Sequence, residues 1–417
     1  MRAKGIFRMG TVQRGGSLLA VLVTASALLL LPLEAVGRAD ISVRWSRSAG
    51  AELASVASGD GAIYVTGSRM KTDGNTAMLL VRYDPSGAVT WTRSWGPRRA
   101  RTDGTSVAVG PDGSVFVVGN VSAENMEGGG WFIRRYSSNG ALLWHRTSSD
   151  WRLPEQASRL DSVAVGNDML VVAGNVYGCC GEVYNDGWVR AFRLDGTSLW
   201  KNAFETTRPE TDDAARAVAI ASGDRVVVAG WIATGPETDV DMADHEVFVQ
   251  ELRPNGSVTW SKVFFDRKGR DRDGATAVAV RGGSLMVAAE AGGWYLRRRP
   301  SHAQLTSMKL DGTVVWTRSW GQDPDHAAQP ASLSLGPKGS AFVVGTQADP
   351  TDEGSDAFVR RFSASGDLLS RLALEGARYV AGTSVAAVRR GAYVAGHVTD
   401  EYGEGAEGLV WRLRATD

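Results

Sequence analysis

Cysteine and histidine are scarce in this chain, and neither sign of charge dominates. The only two cysteines among 417 residues are neighbours, Cys179-Cys180. A fold stapled by several disulfides is therefore excluded, as is a zinc site built on cysteine pairs. The five histidines, His145, His245, His302, His326 and His397, are too scattered to supply a pair at metal-ligand spacing. Lysine plus arginine equals aspartate plus glutamate at 46 each, so nothing in the overall charge draws the chain to nucleic acid, and no such partner is expected. No nucleophile motif and no phosphate-cradling glycine loop appears, so no catalytic residue is identified.

Long apolar runs are also missing, with one exception. Arg2, Lys4, Arg8 and Arg14 precede an uncharged, largely apolar stretch from Ser17 to about Leu33. Small residues follow at Ala35, Gly37 and Ala39. This order predicts a signal peptide over residues 1–39, cleaved before Arg38 or Asp40, in preference to an uncleaved anchor. The expected mature chain, 40–417, is one domain without a transmembrane span, located in the periplasm, on the outer cell surface or secreted.

Glycine and tryptophan are abundant, at 50 and 14 residues. Tryptophans recur at Trp45, Trp91, Trp144, Trp200, Trp260 and Trp316, and the next step of similar length lands on Ser370. The period of about fifty residues marks a repeat architecture. Each unit holds four short runs of β-branched and aromatic residues, A to D, bounded by turn residues. The second unit shows them as Thr105-Ser-Val-Ala-Val109, Ser114-Val-Phe-Val-Val-Gly119, Trp131-Phe-Ile-Arg-Arg-Tyr136 and Ala141-Leu-Leu-Trp-His145. The turns Gly-Pro-Asp-Gly and Ser-Ser-Asn-Gly between A and B and between C and D predict hairpins, hence an antiparallel meander.

The predicted fold is all-β: a seven-bladed β-propeller with four antiparallel strands per blade. Seven A strands centre on Val56, Val107, Val163, Val218, Val278, Leu333 and Val385, each followed by alanine or serine, as the crowding of inner strands requires. The B strands are expected to end at Gly67, Gly119, Gly174, Gly230, Gly345 and Gly396, with Ala289 as the exception. The last unit lacks a D strand, whereas Ile41-Ser-Val-Arg-Trp-Ser46 is a D strand without a unit. Pairing the two closes the ring. The units run approximately over 46–91, 92–144, 145–200, 201–260, 261–316, 317–370 and 371–417 plus 41–47. Large apolar residues four positions after several tryptophans, as in Trp91 with Trp95 and Trp316 with Trp320, predict an aromatic stripe packed between blades.

Ser-Val-Ala-Val, Gly-Ser-Val-Phe-Val-Val-Gly, Phe-Ile-Arg-Arg-Tyr and Asn-Gly-Ala-Leu-Leu-Trp together resemble the bacterial seven-bladed β-propeller repeat family, often called SBBP repeats. The resemblance covers about residues 40 to 417 and implies an extracytoplasmic protein without implying a reaction. The D/N-G-x-x-x-W element also looks like the tryptophan-docking motif of quinoprotein dehydrogenases and of the outer-membrane assembly propeller lipoprotein. Quinoprotein dehydrogenases place a vicinal disulfide against their quinone, so Cys179 and Cys180, as a disulfide candidate, keep a quinone-dependent oxidoreductase open as an alternative. Their axial cofactor residues find no counterpart here. The sialidase Asp-box occupies the same C–D turn, but Asp84-Pro-Ser-Gly-Ala-Val-Thr-Trp91 has a different aspartate-to-glycine spacing.

Every long connection joins B to C or D to A, which places recognition on that rim of the ring. The B–C connections are acidic, most densely at Asp239-Val-Asp-Met-Ala-Asp-His-Glu246. Asp239, Asp241, Asp244 and Glu246 are thus candidate calcium ligands, since the ion takes six to eight oxygens, although a solvated acidic rim accounts for them equally. No cofactor is required by the sequence. The expected role is a monomeric, non-catalytic propeller that binds a protein or a glycan, an enzyme being less expected, with a structural envelope component as a further alternative.

Overall fold

The computed structural model describes residues 40–123, 129–148, 158–177, 185–203, 213–233, 245–264, 273–292, 301–322, 327–348, 354–374, 379–400 and 406–416. Contacts divide the chain into Met1–Gly37 and Arg38–Asp417, and the described residues all belong to the second unit. Among the described residues there are twenty-eight strands, in chain order. The strand β1 (Ile41–Ser48) is followed by β2 (Glu52–Gly59), β3 (Ala62–Met70), β4 (Thr76–Tyr83) and β5 (Val89–Trp95). Next come β6 (Ala100–Val109), β7 (Val115–Ala123), β8 (Gly130–Tyr136) and β9 (Leu142–Thr147), then β10 (Ser158–Val165), β11 (Met169–Tyr177), β12 (Asn185–Arg193) and β13 (Ser198–Ala203). The chain continues with β14 (Asp213–Ile220), β15 (Val226–Ala233), β16 (His245–Leu252), β17 (Val258–Phe264), β18 (Gly274–Arg281), β19 (Ser284–Ala291), β20 (His302–Lys309) and β21 (Val314–Trp320). It ends with β22 (Ala328–Leu335), β23 (Ala341–Ala348), β24 (Ser355–Phe362), β25 (Leu368–Leu374), β26 (Tyr379–Val388), β27 (Gly391–Thr399) and β28 (Glu407–Ala415).

Each run from β2 to β21 forms a four-stranded antiparallel meander, and β22 to β28 with β1 form an eight-stranded sheet. That larger sheet consists of the meander β22–β25 and the set β26–β27–β28–β1, joined by a single parallel pairing of Ser355 with Tyr379. Strand β1 pairs antiparallel with β28, from Ile41 opposite Ala415 to Ser48 opposite Leu409, as the orphan strand predicted. The A strands pack in a circle: β2 on β6, β6 on β10, β10 on β14, β14 on β18, β18 on β22, β22 on β26, and β26 back on β2. Repeated antiparallel sheets in this arrangement make a β-propeller.

Burial grades outward along each meander. Middle strands are buried on both faces, as in Val226, Val227, Val228 and Ala229, because a neighbouring sheet covers each side. Outer strands leave Val89, Leu143 and Val315 more than half exposed. The aromatic stripe packs between sheets as expected: Trp95 meets Phe132 at 5.0 Å, and Trp320 meets Phe358 at 5.8 Å.

The B-strand glycines differ from expectation. The strands run on past them, and each glycine lies opposite a β-bulge in its A strand, between Leu160 and Ser162 for Gly174. A Cβ on Gly174 would lie 1.8 Å from the Arg159 carbonyl oxygen, and one on Gly230 would lie equally close to that of Ala214. The glycine is therefore required by the close approach of two backbones at the bulge, not by a strand end.

The residue after each bulge links neighbouring sheets. Ser55, Ser106 and Ser162 accept hydrogen bonds from the backbone N–H groups of Val107, Val163 and Val218 on the next A strand, at 3.2–3.3 Å. Ser332 and Ser384 do the same for Val385 and Val56. Ala217 and Ala277 hold this place on β14 and β18 and carry no hydroxyl.

A second linkage lies at the outer edge. The indoles of Trp91, Trp144, Trp200, Trp260 and Trp316 donate to carbonyls of Ser138, Leu194, Pro254, Leu310 and Ala364, all in the C–D turn of the following sheet. Each ring lies on that turn's glycine. A Cβ on Gly256, which has φ +86°, would sit 2.8 Å from the Trp200 ring. The side chain two residues after the tryptophan completes the dock: Arg47, Arg93, Asn202, Lys262 and Arg318 donate to the carbonyls of Gly87, Gly140, Gly256, Gly312 and Gly366.

Candidate functional site

On the rim carrying the B–C and D–A connections, several of the described polar groups hold the scaffold. Asp213 and Asp273 are buried at the starts of their A strands and accept hydrogen bonds from the N–H groups of Ala233 and Gly292 at 3.1 and 2.8 Å. Lys71 donates to the carbonyls of Pro97 and Ala100 and lies 3.6 Å from Asp73. The amide of Gln329 on β22 donates to Glu290 on β19 at 2.8 Å, and burial pushes the Glu290 carboxyl above the ordinary glutamate value.

Among the sequence candidates, Asp239, Asp241, Asp244, Cys179 and Cys180 lie outside the described residues. Glu246 is placed in β16 with a buried side chain, next to His245, whose ring stacks on Trp231 at 4.1 Å. Among the described residues no three histidine, cysteine or acidic side chains come together as a metal site.

The opposite rim carries the short A–B turns, and their charges are segregated. Turns following β2, β6, β10 and β14 present Asp60, Asp112, Asp168 and Asp224, whereas those around the ends of β18, β22 and β26 present Arg281, Lys338, Arg389 and Arg390. Asp60, Asp224 and Lys338 adopt positive φ of 50°, 53° and 60°, the conformation tight turns demand and aspartate tolerates well. On the acidic arc Asp112 is bound to Arg135 at 2.5 Å. Burial works against its charge, but Ser114 and the Arg135 guanidinium together hold its carboxyl below the ordinary value.

A cavity of about 980 Å³ opens over the basic arc. Arg281, Arg389, Arg390 and Arg412 contribute to its wall together with Tyr393 and the turn at Gly59 and Gly61, and among the described residues no acidic side chain does. Arg281 donates to the carbonyl of Leu335 at 3.0 Å. Arg412 donates to that of Ala392 at 3.2 Å, and its guanidinium lies 4.6 Å from the Tyr393 ring centre. Burial lowers the pKa of Arg412 from the usual arginine value. Sequence reading missed this cavity, because Arg281 lies over a hundred residues before Arg389 and Arg390, and Arg412 stands inside β28 rather than in a turn. Part of the signal was nevertheless available: aligning the A–B turns puts the four aspartates on consecutive repeats and the four cations on the next three, with Arg225, paired to Glu251, beside Asp224.

No protein-family model and no curated protein matches the chain. Solved structures do match. Puromycin hydrolase aligns at a TM-score of 0.51 with 14% identity, over 88% of this chain and 54% of that one, and a structure of its mutant complex gives 0.52 at 15% over the same shares. A prolyl endopeptidase gives 0.48 and 14% over 86% and 46%. The β-propeller domain of the Trilobed protease from Pyrococcus furiosus gives 0.48 and 10% over 89% and 97%. The chain thus spans about half the length of the first two enzymes. At these identities the likeness shows the fold alone. It corrects one expectation, that an enzyme is the less expected outcome: the puromycin hydrolase structures that share this fold are enzymes, so the fold gives no ground for setting catalysis aside. Among the described residues no helix is long and apolar enough to cross a membrane.

Proposed function

We propose that this chain is an exported seven-bladed propeller of the SBBP-repeat kind that acts as a recognition module, monomeric, holding a protein or a glycan through its B–C and D–A connections. The observation that carries this reading is the contrast between a uniform scaffold and uneven connections. Turns between A and B and between C and D stay short throughout, whereas the B–C connection grows from the gap between Met70 and Thr76 to that between Ala233 and His245. Uneven loops on a rigid frame are where specificity is built with least disturbance to the fold. Calcium held by Asp239, Asp241, Asp244 and Glu246 belongs to the same reading, as an organiser of the longest B–C connection.

The test is a melting-temperature screen of the purified protein with calcium, chelator, pyrroloquinoline quinone and a glycan panel. A ligand that binds only the folded state stabilises it by about 2.7 kcal/mol at a hundredfold excess over Kd. A glycan-specific rise that disappears when residues 234–244 are replaced by a two-residue turn is the expected result. A rise with the quinone alone, or a glycan response untouched by shortening every B–C and D–A connection, overturns the reading.

A further inference from the structure

We propose that the cavity over the basic arc of the short-turn rim is a binding site for a compact ligand bearing two or more phosphate or sulfate groups. It lies on the opposite rim from the B–C and D–A connections and does not depend on what they bind. Four guanidinium groups line it, Arg281, Arg389, Arg390 and Arg412, and among the described residues the wall contains no carboxylate. Like charges gathered without a counter-ion repel, so an anion placed among them relieves that repulsion as well as forming its own bonds.

The arginines divide into two kinds. Arg281 and Arg412 are held by backbone carbonyls, and Arg412 also by the Tyr393 ring, so each presents its remaining N–H groups in a fixed direction. Arg389 and Arg390 are exposed, and among the described residues their side chains have no hydrogen bond or ion pair. Their turn is fixed nonetheless. Gly391 follows at φ +133°, and a Cβ there would lie 2.0 Å from the Leu413 carbonyl oxygen, so the turn is pressed against β28 in one conformation. Two anchored and two unengaged guanidiniums around one space match a ligand with several tetrahedral oxyanions, which accept paired N–H bonds.

The rest of the rim sets the size. Asp60 follows Gly59 of the cavity wall in sequence, and Asp112, Asp168 and Asp224 continue the acidic arc. An extended polyanion laid across the rim would meet those carboxylates, whereas a compact one fits within about 980 Å³. Sulfated sugars and phosphorylated small molecules share the required chemistry.

Titration calorimetry on the purified protein at low salt tests the site, with sucrose octasulfate and inorganic tripolyphosphate as probes and sucrose as the neutral control. Binding of either probe, weakening as salt rises, is expected, and the tighter of the two identifies the source as sulfated sugar or phosphorylated molecule. In the double variant Arg389→Ser, Arg390→Ser the affinity should fall by about tenfold to a hundredfold, the loss typical of charged hydrogen bonds. Its melting temperature should stay unchanged, since neither side chain bonds to the scaffold. Absence of binding by both probes at low salt, or equal binding by the double variant, overturns the proposal.

Discussion

Two kinds of junction hold this ring together. From β1 round to β21, each D strand lays a tryptophan on the turn glycine of the next sheet. At β25 the corresponding residue is Ser370, which lies opposite Arg361 just as Trp316 lies opposite Ser307, and whose hydroxyl is buried without a hydrogen-bond partner. The reason lies in the next sheet. In place of an outer turn it brings together β28 and β1, far apart in sequence, where Thr416 donates to Asp40 and Arg361 donates to Thr416. A tryptophan at 370 would have no turn glycine on which to rest. Docking thus follows turns, and at the junction without one the two neighbouring meanders share a strand pairing, Ser355 with Tyr379.

The ring is broken most severely if the pairing of β1 with β28 is removed. A chain lacking residues 40–48 leaves β28 with an open edge and Gly87 without its indole, and is expected to aggregate rather than elute as a monomer in size-exclusion chromatography. Trp200→Ala removes one dock and should cost about 2–3 kcal/mol in denaturant unfolding, from lost apolar burial and one hydrogen bond. Ser370→Trp, the reciprocal change, should bring no gain, and a rise in stability would show that docking needs no turn. A finer contrast separates the serine-linked A strands from Ala217 and Ala277. Ser162→Ala should cost about 1 kcal/mol, and Ala217→Ser should return a gain of similar size by giving Val278 an acceptor.

The smallest effect concerns pH. Ser86 and Ser365 hydroxyls hold the Asp84 and Asp367 carboxyls below the ordinary value, and Thr197 and Thr313 amides do so for Asp195 and Asp311. A depressed folded-state pKa stabilises above the unfolded value and is lost as pH falls through the folded one. Melting temperature should therefore fall as pH drops below about 4, and replacing these four aspartates by asparagine should flatten the decline.

The ring was legible because its period is written in large residues. Trp45 to Trp316 set the spacing, the small residues after Val56 and its equivalents marked the inner strands, and the unmatched strand at Ile41 foretold the closure. The bulges were not legible, since a glycine that admits a carbonyl looks like a glycine that ends a strand. The cation or amide two places after each tryptophan was visible as a pattern, but its partner is a carbonyl on another repeat. Asp239, Asp241 and Asp244 drew attention through density along the chain, whereas Arg281 joins Arg389, Arg390 and Arg412 only through the packing of β18 on β22 and β22 on β26.

The pairing of Ile41 with Ala415 also imposes an order in time. The first strand to be synthesised is the last to find its place, because its partner arrives some 370 residues later. Until then β1 is a lone strand and the last sheet lacks its outer strand. Closure therefore works as a test of completeness: a chain cut short anywhere before β28 leaves its opening strand unclaimed, marking it as unfinished to whatever protease or chaperone meets it.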